Sequence, residues 1–131
     1  MAREVSTNGR KKVETLYKDF NENFPHLCLR IYPFSEKDKS TKYPVDRTKS
    51  LAEVRAKRGD GEISFSGRKN IATIEREFEN VFGLYVQIGY KPASGLPEGI
   101  SHYYTSGADD KKSLTQLNRE KEAAGCIKGA W

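Results

Sequence analysis

The chain has 131 residues, with 23 Lys+Arg against 18 Asp+Glu, two His and two Cys. That length suits one domain, 1–131, and supports a core without disulfide or metal staples. No apolar run approaches the ~20 residues of a membrane span. Residues 1–14 lack the apolar centre of a secretory signal, and Cys28 and Cys126 make neither a zinc pattern nor a disulfide framework. A cytoplasmic protein with no membrane partner and no metal or other cofactor is therefore expected.

The first segment, 3–34, opens with the alternation Val5, Thr7, which predicts a half-buried strand. Asn8-Gly9 marks a turn. Val13, Leu16, Tyr17, Phe20 and Phe24 then recur at helical spacing, which predicts a helix with one buried face, stopped by Pro25. Leu27, Leu29 and Ile31 alternate with Cys28, Arg30 and Tyr32, as in a strand with one buried side.

The connector, 35–60, is polar at first and then predicts a short helix over 50–58. Ser50 and Glu53 have capping-box spacing, and Leu51 and Val54 face the core. The segment 61–90 repeats the strand, turn, helix and strand. Ile63 and Phe65 precede Ser66-Gly67. Ile71, Ile74, Phe78, Val81 and Phe82 form the stripe, Gly83 stops it, and Leu84, Val86 and Ile88 form the last strand's buried side. In the closing segment, 91–131, a Pro/Gly loop leads to a short strand at 102–105. A last helix follows over 110–124, capped by Asp109-Asp110, with Leu114 and Leu117 inward and Gly125 as its stop.

Residues 3–24 and 61–82 agree at a constant offset of 58, with eight identities in 22 positions: Glu4/Glu62, Ser6/Ser64, Gly9/Gly67, Arg10/Arg68, Lys11/Lys69, Thr15/Thr73, Phe20/Phe78 and Phe24/Phe82. The chain thus reads as a duplicated β-α-β unit, 3–34 and 61–90. The fold class expected is α+β, a two-layer sandwich with an extra helix between the copies and a C-terminal helix. Strict alternation on the strands fits a sheet with helices on one face. A ferredoxin-like arrangement is the simplest assembly.

The charge surplus is local. Residues 37–58 hold eight basic and three acidic residues, a net of +5, and the remaining 15 of each sign cancel. The Gly-Arg-Lys triplet occurs twice, each time between a strand and a helix. Helix N-termini attract phosphate, and cations there oppose the helix dipole, which suggests a reason other than stability. The expected function is a non-enzymatic basic module for nucleic acid or another polyanion. Its contacts are Arg10, Lys11, Lys12, Arg68 and Lys69, with Lys49, Arg55, Lys57 and Arg58 beside them. A competing expectation is a protein-interaction or assembly module, such as a homodimer. It would use an open sheet face with Arg30, Tyr32 and Tyr85, together with Tyr103, Tyr104 and Trp131. A base-stacking role for that face is disfavoured, because a ferredoxin-like order puts Glu4 and Glu62 at its centre. No catalytic residues are assigned: His26 and His102 show neither ligand spacing nor a nucleophile–base pattern.

Overall fold

The computed structural model describes residues 4–7, 9–37, 39, 42–56, 61–100, 102–105 and 107–129. Its elements run β1 (Glu4–Thr7), α1 (Val13–Asn23), β2 (Cys28–Pro33), α2 (Leu51–Val54), β3 (Ile63–Ser66), α3 (Ile71–Phe82), β4 (Leu84–Tyr90), β5 (Tyr103–Tyr104) and α4 (Leu114–Ala123). Short 3-10 turns lie at Phe34–Glu36 and Gly107–Asp109. The fold is mixed α+β, with four α-helices and a three-stranded antiparallel sheet among the described residues.

Strand pairing departs from the ferredoxin-like expectation. That arrangement joins all the strands of the two units in one sheet with β1 and β3 in the middle. Here, among the described residues, β1 pairs only with β3, and β2 pairs with β4, which pairs with β5, all antiparallel. Each strand therefore meets its counterpart from the other β-α-β segment. At Ile31 the edge of β2 is closed by its own chain. The Ile31 N–H donates to the Tyr17 hydroxyl at 2.9 Å, and the Ile31 carbonyl accepts from Val45 at 3.0 Å. Satisfied edge groups do not template pairing with another chain.

The stripes read from sequence are the buried faces. Val13, Leu16, Phe20, Ile71, Ile74, Phe78, Leu114 and Leu117 join Leu29, Ile31, Val86 and Ile88 in one cluster. Five phenylalanines form its spine. Phe24–Phe20, Phe20–Phe65, Phe65–Phe78 and Phe78–Phe82 have ring centroids 5.2, 5.5, 5.6 and 5.3 Å apart. These separations suit tilted and edge-on aromatic pairs. Gly83 ends α3 in the left-handed conformation (φ 66°), its N–H bonded to the Glu79 and Phe78 carbonyls. That geometry favours glycine.

The helix starts differ from the sequence reading. The last helix begins at Leu114, with Ser113 as its cap accepting from the Gln116 N–H at 3.1 Å, and not at Asp109-Asp110. Asp109 instead pairs with Lys112. The helix expected over 50–58 is a single turn, Leu51–Val54, with the Ser50/Glu53 capping box in place.

Two outcomes follow. A Cβ at Gly89 would lie 2.9 Å from the Tyr103 carbonyl and 3.0 Å from Cys28 Sγ. Gly89→Ala is expected to destabilise by about 1–3 kcal/mol, an overpacking cost, read as a lower urea midpoint. Burial pushes the Cys28 thiol up to about 11, against smaller lowering by Arg30. The unfolded chain loses this proton first, so stability is intact below about pH 8.5 and falls as pH rises toward the folded value. Cys28→Ala should flatten that alkaline loss in urea titrations run at successive pH values.

Candidate anion-binding cleft

The two Gly-Arg-Lys turns stand apart. In the antiparallel β1–β3 ladder, Thr7 faces Ile63 and Glu4 faces Ser66. Gly9 comes two residues after Thr7, and Gly67 directly follows Ser66, so the turns leave opposite ends of the ladder. Three steps of about 3.4 Å put roughly 10 Å between those ends.

The backbone groups that made these turns attractive are already bonded. At α1, Val13 and Glu14 donate to the carbonyls of Lys49 and Arg47, each at 2.9 Å. In return, Leu51 and Ala52 at α2 donate to Lys11 and Gly9. Each helix start thus caps the other. The pattern recurs in the second half. Ala72 donates to Asp110, while Leu114 and Thr115 donate to Lys69 and Gly67. Isolated bridges join Lys12 to Ser50 and Asn70 to Ser113. The Asn70 side chain also caps Thr73 at 2.8 Å. These N–H groups are spent inside the fold.

Several of the expected cations are spent as well. Lys11 Nζ meets Asp19 at 2.7 Å, and at the offset of 58, Lys69 Nζ meets Glu77 at 2.8 Å. Lys69 also donates to the Ser64 carbonyl and hydroxyl at 2.8 and 3.2 Å. The Arg55 guanidinium lies 4.6 Å from the Phe82 ring centroid and donates to the Val81 carbonyl at 2.7 Å. Arg10, Lys12 and Lys49 are exposed at the first turn and Arg68 at the second. Lys57 and Arg58 lie outside the described residues.

Arg68 faces an open cleft of about 630 Å³. One wall is the turn Phe24, Pro25 and His26. Another is α4, through Ser113, Thr115, Asn118, Arg119 and Glu122. Gly67 and Lys128 complete the lining. Arg68, Arg119 and Lys128 set three cations against the single carboxylate of Glu122. His26 ties the walls together. Its N–H donates to Asn118 Oδ1 at 2.9 Å, its Nδ1 lies 3.1 Å from the Cys126 carbonyl, and its Nε2 lies 3.3 Å from Glu122 Oε2. The Gly129 N–H donates to the Pro25 carbonyl at 2.9 Å, which fastens the C-terminal segment beside the cleft.

The sequence reading missed Arg119, Lys128 and the role of α4. One signal was present: Lys-Ser-Leu stands at 49–51 and again at 112–114, an offset of 63 that extends the repeat into the capping helices.

The sheet face expected for an interface is partly covered. Tyr32 is 3% exposed, and its hydroxyl is 2.8 Å from that of Tyr104. Burial first, and then this hydrogen bond, push the Tyr32 phenol up. Tyr85 lies 6.0 Å from Tyr32, centroid to centroid. The Arg30 guanidinium stacks 5.0 Å from the Tyr17 ring and contacts His102 Nε2 at 3.3 Å. Tyr103 is exposed, and Trp131 lies outside the described residues. Glu4 lies on β1 and Glu62 directly precedes β3, and these strands form a ladder separate from the β2-β4-β5 sheet, so the two carboxylates do not mark its centre. Among the described residues, no group of three or more His, Cys, Asp or Glu side chains is placed to hold a metal ion. Among the described residues, no helix is long and apolar enough to cross a membrane.

Comparison with protein-family models, curated proteins and solved structures found no match.

The adjacent cations of the second turn should separate in stability measurements. Lys69→Met removes hydrogen bonds to Ser64 and Glu77 and is expected to cost about 1–2 kcal/mol in urea unfolding. Arg68→Ala, at an exposed position, should stay within about 0.5 kcal/mol.

Proposed function

We propose that the chain is a small non-enzymatic module that binds the phosphate backbone of nucleic acid through the cleft beside α4. In this reading it is a single cytoplasmic domain, made by tandem duplication of a β-α-β unit with its capping helix. The observation that carries the reading is the convergence of Arg68, Arg119 and Lys128 on one open polar cleft, opposed only by Glu122. Ser113 and Thr115 add neutral hydrogen-bonding groups on the same wall. Cations with neutral donors are the usual backbone-contacting set. The exposed Arg10, Lys12 and Lys49, at the other turn, would contribute to the general attraction rather than to this cleft.

The assembly alternative draws on fewer side chains than expected, because Tyr32 is buried and hydrogen-bonded within its own chain. Light scattering that gives a dimer mass, lost in Tyr103→Ala, would favour it.

Anisotropy titration of a labelled oligonucleotide tests the main reading. Three phosphate contacts predict binding near 50 mM salt that weakens roughly 20- to 40-fold by 200 mM. Arg68→Ala or Arg119→Ala should each reduce the salt slope by about 1. No binding at low salt removes the reading. Binding to heparin but to no nucleic acid transfers the cleft to another polyanion.

A further inference from the structure

The two halves treat one position differently. Arg55 follows Ser50, and Asn118 follows Ser113, by the same five residues. In the first half, Arg55 folds back over the end of α3. It stacks on Phe82, donates to the Val81 carbonyl, and its Nη1 would lie 3.6 Å from a Cβ placed on Gly9. The neighbouring Ala56 N–H donates to the Phe82 carbonyl at 2.9 Å. In the second half, the matching positions are Asn118, Phe24 and Gly67, and all three line the open cleft. Asn118 is shorter, and its Oδ1 is bonded locally to the His26 N–H. The chain also differs beyond this point. α2 stops at Val54, whereas α4 runs on to Ala123 and carries Arg119 and Glu122 along the cleft wall.

We propose that Asn118 keeps this cleft open for a phosphate group, while Arg55 closes the matching groove of the first half. The phosphate assignment rests on the reading of the cleft as a nucleic-acid site.

Asn118→Arg tests it, because charge and occlusion act with opposite signs. An added cation alone tightens binding of an anionic probe, whereas a guanidinium stacked on Phe24 blocks the cleft. With a fluorescein-labelled single-stranded oligonucleotide as probe, the Arg variant is expected to bind roughly tenfold more weakly. Asn118→Ala, which removes the His26 bond without filling the space, should bind within about threefold of the wild type. Equal or tighter binding by the Arg variant overturns the proposal. So does loss of its cooperative melting transition, since the groove then cannot hold the side chain.

A second measurement needs no nucleic acid. Thr115→Cys places a thiol on the cleft wall, and Cys28 and Cys126 are both buried. Its alkylation by iodoacetamide, a neutral reagent, should slow when Asn118→Arg is added, although the new charge favours the thiolate. An unchanged or faster rate overturns the proposal. A wild-type chain that binds no oligonucleotide overturns the nucleic-acid reading, and the alkylation rates then decide by themselves whether Asn118 holds the cleft open.

Discussion

An α-helix begins with backbone N–H groups that have no partner within the helix, and this chain meets that requirement reciprocally. The residues leading into α1 cap α2, and those leading into α2 cap α1. The same exchange joins α3 and α4. Each exchange brings a long helix and its partner together at their starts, with both Gly-Arg-Lys turns inside the junctions. It fixes where Ser50 and Ser113 lie, and through them where residues 55 and 118 point. The open cleft stands where the second junction meets the turn at 24–26.

The core links these junctions. The phenylalanine spine runs from Phe24 at the end of α1, through Phe65 on β3, to Phe82 at the end of α3. Both of its ends lie under a groove. Arg55 occupies the space over Phe82, while Phe24 borders the cleft. Like-with-like strand pairing complements this arrangement. β1 meets β3 and β2 meets β4. The two turns thereby leave opposite ends of their ladder.

Charge count and charge availability therefore differ. Residues 37–58 carry the whole net surplus, yet Arg55 is folded onto Phe82, and the Arg47 guanidinium lies 5.5 Å from the Tyr17 ring centroid. Lys11 and Lys69 share a triplet because they share a task, an ion pair to a carboxylate two helical turns on. Half-exposed pairs of this kind contribute little each, about 0–1 kcal/mol. Their recurrence at one offset still explains the lysine of each triplet without a ligand. Of the triplet cations, only Arg68 reaches the large cleft, and its companions Arg119 and Lys128 come from the closing segment.

The amino-acid sequence by itself determined the elements and their buried faces. The stripes from Val13 to Phe24 and from Ile71 to Phe82, the alternation on β4, the stops at Pro25 and Gly83, and the Ser50/Glu53 box are local patterns whose physics acts within a few residues. On β2 the alternation predicted one buried side, and the structure buries Cys28 and Tyr32 on the other as well. Strand order, helix capping across the chain and the fate of each cation were decided by tertiary structure. Alternation says which side of a strand is buried and nothing about its neighbour, so β2 with β4 was not legible. A lysine in a turn has the same letter whether it faces water or a carboxylate eight residues away. The cleft depends on contacts between residues 24–26, 67–68 and 113–128, and distances across such separations in sequence exist only once the chain has folded.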